Sequence, residues 1–212
     1  MNAAQYASSL GRAVIVLSQA DPLLGSLIAR HGQCVLRPAW RRGPYEALVR
    51  AVMYQQLHGK AAAAILGRFI AVSPGEPFPS PDMVVRLDQT TLRAVGLSRQ
   101  KIGYVRAIAE AALSGVVPVR RGPLLGLDDD VIIERLSRVR GVGRWTVEML
   151  LIFTLGRLDV LPADDFGVRA GFARLVGLTG SISPRAMREA GVRWSPFRSV
   201  AAWYLWRAAE EP

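Results

Sequence analysis

The organisation of this chain follows from residues 136–172, which read LSRVRGVGRWTVEMLLIFTLGRLDVLPADDFGVRAGF. An apolar helical turn leads into Gly141-Val142-Gly143, and a second helical pattern begins at Trp145. Two glycines two positions apart, closing one helix and opening the next, predict a tight hairpin. Backbone N–H groups at the start of the second helix are unpaired and lie at the positive end of the helix dipole. Such groups suit a phosphate oxygen.

A paired carboxylate, Asp164-Asp165, follows the apolar run after the hairpin and stands at the start of the next predicted helix. A carboxylate in this position commonly caps the helix. It can also stabilise positive charge that develops on a substrate, or orient a water molecule toward it. The physics of the sequence alone does not separate Asp164 from Asp165.

This pattern resembles the helix-hairpin-helix DNA glycosylases. The residues that carry the resemblance are Leu136, Val139, Gly141, Val142, Gly143 and Thr146, followed by Asp165. The flanks, GRWT at 143–146 and PADD at 162–165, resemble one branch, the 3-methyladenine DNA glycosylase II family. The resemblance covers roughly residues 30–207 and implies the compact form, without an added N-terminal β-rich domain.

Composition is consistent with a basic protein that has a substantial core. The chain has 212 residues, half of them hydrophobic, which fits one domain or two closely packed lobes. Its 27 basic and 17 acidic residues give a net charge of +10, which favours a polyanionic partner. Only Lys60 and Lys101 are lysines, so a genomic preference for arginine codons is an alternative origin of the charge.

Several classes of site are not expected. Cys34 is the only cysteine, which excludes an intramolecular disulfide and a cysteine-ligated iron–sulfur cluster. With two histidines, a zinc site is not expected either, and we predict no cofactor. No apolar run approaches the roughly 18 residues that a membrane helix needs, and no signal peptide is expected.

The hydrophobic spacing predicts an all-α fold, and the resemblance implies two lobes with a cleft between them. We expect the lobes at roughly 44–160 and at 1–43 plus 161–212, with the helix-hairpin-helix at about 129–157. Breaks are predicted at Asp21-Pro22, with Asp21 as cap, and near Leu57-His58-Gly59. The helices are expected at about 3–32 (two), 44–71 (broken), 81–95 (two turns), 99–114, 128–138, from 145 onward, 166–177, 183–191 and 195–209. Residues 115–127 are predicted to be loop.

The resemblance implies that Asp165 is the catalytic carboxylate and leaves Asp164 as the helix cap. Trp145 stands where lyase-type relatives carry a catalytic lysine. An indole cannot form a Schiff base, so a monofunctional glycosylase is implied. The implied base pocket includes Trp145, Trp206, Met149 and Tyr54. The alternative for Trp145 is a core residue, and the spacing of Trp194, Trp203, Phe197 and Tyr204 also indicates core.

The implied DNA contacts lie in two segments. Gln56 aligns best with the side chain that fills the hole left by a flipped nucleotide, and Leu57 and His58 could share that role. The alternative is that Leu57 is core and His58 an ordinary surface histidine. The implied phosphate contacts are Gly141, Gly143, Arg144 and Thr146. The carbonyls of Ser137, Val139 and Val142 are candidates for holding a monovalent cation.

The function implied is excision of alkylated purines, such as 3-methyladenine, from double-stranded DNA by base flipping and hydrolysis. We expect a monomer without membrane association, in the cytoplasm with the nucleoid if bacterial or in the nucleus if eukaryotic. Two alternatives stay open: a non-catalytic helix-hairpin-helix DNA-binding protein, and a glycosylase for oxidised or mismatched bases.

Overall fold

The computed structural model describes residues 2–57 and 59–211, and the described residues form helices without any β-strand. The all-α prediction is therefore confirmed. A π-helical turn spans Leu151–Leu155 and a 3₁₀ turn spans Gly191–Trp194. The α-helices are α1 Ala3–Ala20, α2 Pro22–His31, α3 Pro44–Tyr54, α4 Gly59–Ala71, α5 Pro81–Arg86, α6 Gln89–Ala94, α7 Arg99–Leu113, α8 Gly122–Leu125, α9 Asp129–Ser137, α10 Arg144–Leu150, α11 Phe166–Leu175, α12 Pro184–Ala190 and α13 Arg198–Glu210.

Local sequence signals set the helix boundaries. The Asp21 carboxylate accepts the N–H groups of Leu23 and Leu24, which confirms the predicted break between α1 and α2. The one helix missed is α8, in the segment predicted to be loop. It is a single turn with a proline in its first positions, too short for hydrophobic spacing to reveal. Among the described residues, no helix is long and apolar enough to span a bilayer.

The chain divides into two compact units. The terminal unit comprises Met1–Pro38 and Leu151–Pro212, and the middle unit comprises Ala39–Leu150. The boundaries lie earlier than the expected 43/44 and 160/161. Residues 151–160 belong to the terminal unit because they bond to the start of α13: Ser199 N–H donates to the Leu158 carbonyl, and Val160 N–H donates to Ser199 Oγ.

The terminal unit is built on close contact between α11 and α13. A Cβ placed on Gly171 would lie 1.9 Å from the carbonyl oxygen of Leu205, so only glycine allows this approach. Trp194 is fully buried and its indole N–H donates to Asp21 at 3.0 Å. Tyr204 is also fully buried, so both aromatics belong to the core as predicted.

The middle unit packs around α7. Its inward face carries Ile102, Val105, Ile108 and Ala109, all buried as the sequence predicts. Helices α3, α5 and α6 pack against this helix, and α9 and α10 pack against each other at the hairpin. The core of this unit therefore supports both the turn after α3 and the hairpin before α10.

We expect Gly171→Ala to destabilise the protein by about 3 kcal/mol, because the added methyl group must push α11 away from the backbone of α13. Gly11→Ala is the matched control. Gly11 lies on the exposed face of α1, and a Cβ there meets nothing within 4 Å. This control should stabilise the protein by about 0.5–1 kcal/mol. Urea unfolding measures both, and equal midpoints for the two variants would contradict the packing described.

Candidate active site

Asp165 is the N-cap of α11 and holds two hydrogen bonds on one oxygen. Its Oδ1 accepts the backbone N–H of Val168 at 2.8 Å and the indole N–H of Trp206, also at 2.8 Å. The side chain is half-buried. The carboxylate is therefore fixed by a helix start on one side and by an aromatic side chain on the other.

The expectation that Asp164 caps this helix is wrong. Asp165 has the extended backbone of a cap residue, with φ −68° and ψ 126°, which sets its carboxylate over the N–H of the third helical residue. Asp164 stands one position too early to reach it. Its carboxylate is 41% exposed and pairs with Arg188 at 2.9 Å.

Trp206 links the carboxylate to a second aromatic ring. Its indole stacks on Phe153, with ring centroids 5.6 Å apart and planes inclined by 28°. Gly167 lies beside both groups, where a Cβ would be 3.0 Å from Trp206 Cδ1 and 3.2 Å from Asp165 Oδ1. The small residue at 167 therefore lets the carboxylate and the indole meet.

Phe153 is a site residue that the sequence interpretation missed. It lies in the π-helical turn Leu151–Leu155 and is 37% exposed. Widened turns of this kind are frequent at functional sites. The only signal in the sequence is its position four residues after Met149, one helical turn along, which does not distinguish a pocket residue from a core residue.

An ion pair fixes the start of the helix that carries Trp206. The Arg198 guanidinium donates to both oxygens of Asp159, at 2.7 and 2.9 Å, and Ser195 donates its hydroxyl to the same carboxylate. Burial raises the pKa of Asp159, but these hydrogen bonds outweigh it and hold the pKa below its ordinary value. Asp159 is therefore held as an anion at the start of α13.

The two glycines of the hairpin in the middle unit differ in their surroundings. Gly141 has φ +89°, and a Cβ there would lie 2.3 Å from Tyr104 Cγ. Gly143 has open space where its Cβ would be. Within the described part of the chain, no acceptor bonds the N–H of Gly141 or Gly143. Both groups are thus available to an outside ligand, as the sequence predicts for a phosphate.

The remaining predicted hairpin contacts differ in exposure. Arg144 is half-exposed and pairs with Glu148 at 2.9 Å. Thr146 is only 3% exposed, so a direct phosphate contact by this residue stays a prediction. Among the three carbonyls predicted to hold a cation, that of Val139 already accepts the Val142 N–H at 3.0 Å. The cation site at Ser137, Val139 and Val142 stays a prediction.

The break that the sequence predicts near Leu57-His58-Gly59 is present but begins earlier, because α3 ends at Tyr54 and α4 starts at Gly59. Gln55 has φ −55° and ψ 131°, Gln56 has φ 55°, and Leu57 N–H donates to the Tyr54 carbonyl at 3.4 Å. These angles define a type II β-turn. We call residues 54–57 the wedge turn. His58 lies outside the described residues.

The predicted contact residues of the middle unit are mostly accessible. Tyr54 is 43% exposed, Leu57 39% and Trp145 39%. The alternatives that placed Leu57 and Trp145 in the core are therefore wrong. Gln56 is exposed and Met149 is half-buried. The structure thus brings Asp165, Trp206 and Phe153 together in the terminal unit, and it presents the wedge turn and the hairpin in the middle unit.

An all-α fold with a glycine hairpin and a later helix-capping carboxylate defines a helix-hairpin-helix protein with a candidate acid–base site. Residues 49–196 match the family described as HhH-GPD superfamily base excision DNA repair protein. The chain belongs to this superfamily.

The relatives agree in name and fold. DNA-3-methyladenine glycosylase 1 of Schizosaccharomyces pombe is 41% identical over 207 residues, 97% of this chain and 90% of that protein. The solved structure of that organism's 3-methyladenine DNA glycosylase in complex with abasic DNA superposes with a TM-score of 0.84, at 42% identity, over 92% of this chain and 95% of the other. DNA-3-methyladenine glycosidase from Bacillus halodurans gives a TM-score of 0.82 at 34% identity, covering 93% and 89%.

Proposed function

We propose that this protein is a DNA glycosylase that removes alkylated purines such as 3-methyladenine by hydrolysing the N-glycosidic bond, in base excision repair. The observation that carries the proposal is the Asp165 carboxylate, fixed by Val168 and Trp206 beside a stacked aromatic pair. The names of the relatives support the same substrate class.

The chemistry needs a fixed anion more than a strong acid. When the bond between the sugar C1′ and the purine nitrogen breaks, the electron pair leaves with the base and positive charge develops on the sugar. An alkylated purine is already cationic, so it departs as a neutral molecule without prior protonation. Asp165 stabilises the sugar cation and orients the water whose oxygen adds to C1′. The proton lost by that water passes to the carboxylate or to solvent.

The aromatic side chains suit an electron-poor base. A cationic purine is attracted to the π face of an indole or phenyl ring, and a flipped base is usually held by stacking. Trp206 and Phe153 offer such faces next to the carboxylate. Trp145, Met149 and Tyr54, in the middle unit, stay predicted contacts of the substrate base. A neutral, undamaged purine gains less from these rings and is a poorer leaving group, so both binding and chemistry select the lesion.

Binding to duplex DNA is assigned to the middle unit. The N–H groups of Gly141 and Gly143, together with Arg144, would contact phosphates, and Gln56 with Leu57 and His58 would fill the space of the flipped nucleotide. The net charge of +10 makes the interaction dependent on salt through counterion release. We propose that the protein acts as a monomer, in the compartment that holds the DNA: the nucleoid if bacterial, the nucleus if eukaryotic.

The assay that tests the function measures bases released from methylated duplex DNA by the native protein and two matched variants. Asp165→Asn should lower the release of alkylated purines by at least about a hundredfold, because it removes the charge and keeps the oxygen that caps α11. Asp164→Asn is the control. It loses the partly exposed pair with Arg188 and should stay within about twofold of the native rate.

Each result of this assay separates the proposal from a rival. A native rate in Asp165→Asn would refute the catalytic assignment. Native protein that binds methylated DNA and releases no base would instead be a non-catalytic helix-hairpin-helix module. Release of oxidised or mismatched bases in place of alkylated purines would favour the other class of glycosylase.

We expect an abasic site as the product, without strand cleavage, because Trp145 cannot form a Schiff base. Denaturing gel electrophoresis before and after alkali treatment distinguishes the two products. Strand breaks without alkali, together with a protein–DNA adduct trapped in high yield by borohydride, would show lyase chemistry and contradict the monofunctional assignment.

The hairpin glycines give a matched pair for DNA binding. Gly143→Ala should keep native thermal stability, because its Cβ meets nothing in the protein, and should weaken DNA binding about tenfold by crowding a phosphate. Gly141→Ala should lower stability, since it places a side chain at positive φ against Tyr104. Filter binding to undamaged duplex and thermal unfolding measure the two effects. If Gly143→Ala binds DNA with native affinity, the hairpin does not contact DNA at this position.

A further inference from the structure

The wedge turn contains a strained residue. Gln56, at φ 55°, is the only non-glycine residue with positive φ in the described ranges 2–57 and 59–211. A type II turn requires positive φ at this third position, where glycine is the usual residue. A side chain in that conformation costs roughly 1–2 kcal/mol. Such strain persists only when surrounding groups fix the conformation.

The groups that fix this turn are found on α7. The ammonium of Lys101, in the first turn of that helix, donates to the carbonyl of Met53 at 2.8 Å and to the carbonyl of Gln55 at 2.7 Å. These carbonyls lie at the C-terminal end of α3, the negative end of its dipole, where a cation is stabilising. Burial lowers the pKa of Lys101, as expected for an ammonium partly removed from water.

The same turn is also tied to the hairpin. The side-chain amide of Gln55 donates to the carbonyl of Gly141 at 3.4 Å. Lys101 holds the main-chain carbonyl of Gln55 while the hairpin holds its side chain, so Gln55 is restrained on both sides immediately before Gln56. Within the middle unit, the wedge turn and the predicted phosphate site are therefore linked by direct hydrogen bonds.

We propose that Lys101 is a positioning residue: it holds the wedge turn in the shape that inserts into duplex DNA while the hairpin is bound to the backbone. This inference rests on the proposed glycosylase function. Flipping a nucleotide costs a few kcal/mol of unstacking, and a side chain that fills the vacated space recovers part of that cost. A turn that is already rigid does so without paying conformational entropy to become ordered. Loss of Lys101 should then impair excision only where the lesion must be extracted from a stack.

The chain offers a closely matched control on the same helix. Arg106 also carries a cation on α7 that donates to a main-chain carbonyl, that of Leu87 at 2.6 Å. Leu87 follows α5 and is remote in sequence from the wedge turn. Arg106→Met thus removes one charge and one carbonyl bond from α7 without touching the wedge turn, whereas Lys101→Met removes one charge and the two carbonyl bonds that hold this turn.

The experiment measures single-turnover base release on two substrates, a methylated duplex and the same lesion without a pairing strand. For Lys101→Met, we expect the duplex rate to fall at least about tenfold relative to the unpaired rate, with the unpaired rate within about twofold of native. Arg106→Met should leave the ratio of the two rates unchanged. Lys101→Arg should restore most of the ratio, since a guanidinium also donates to two carbonyls.

A double-mutant cycle separates positioning from general stability. Three single variants identify the side chain that fills the space of the flipped nucleotide, here called the plug: Gln56→Ala, Leu57→Ala and His58→Ala. The plug is the residue whose substitution lowers base release from the duplex more than from the unpaired substrate. In the background of that plug variant, Lys101→Met should have little further effect on the ratio, because both changes remove the same function. Additive effects, an unchanged ratio in Lys101→Met, or equal losses on both substrates would overturn the proposal. Absence of base release by the native protein on either substrate would instead defeat the proposed function itself.

Discussion

Two hydrogen bonds on one carboxylate oxygen connect the parts of the terminal unit. Oδ1 of Asp165 accepts from Val168 at the start of α11 and from the indole of Trp206 on α13. The first bond stabilises a helix, and the second aims the carboxylate and sets the plane of an aromatic ring. Structural and chemical roles therefore coincide in one side chain, and a variant that keeps the oxygen while removing the charge can separate them.

The rest of the terminal unit keeps this arrangement in place. Gly171 lets α11 and α13 approach until a backbone carbonyl fills the space of a side chain, and Gly167 leaves room for the indole beside the carboxylate. The pair of Asp159 with Arg198 sets where α13 begins. In the middle unit, hydrogen bonds likewise hold a strained turn in place. Lys101 bonds the carbonyls of Met53 and Gln55, and the side chain of Gln55 bonds the carbonyl of Gly141. In both units, groups with a proposed function are held by bonds from other helices.

Sequence reasoning succeeded where the chemistry is local. The cap at Asp21 and the break before Gly59 follow from residue types within a few positions, and the structure has both. Which of Asp164 and Asp165 caps α11 could not be predicted from local sequence, because the two side chains are identical and only their backbone angles differ. Phe153 and Lys101 depend on a π-helical turn and on contacts 46 and 48 residues apart, which no local pattern encodes.

The central claim is that a fixed anion at Asp165 stabilises positive charge on the sugar of a flipped nucleotide. Its most direct test is equilibrium binding to two duplexes, one with a cationic pyrrolidine in place of the lesion sugar and one with a neutral tetrahydrofuran. The account predicts that the native protein binds the cationic duplex at least about a hundredfold more tightly, as expected for a transition-state analogue, and that Asp165→Asn loses most of this preference. Equal affinity of the native protein for both duplexes, or an unchanged preference in the variant, would contradict it.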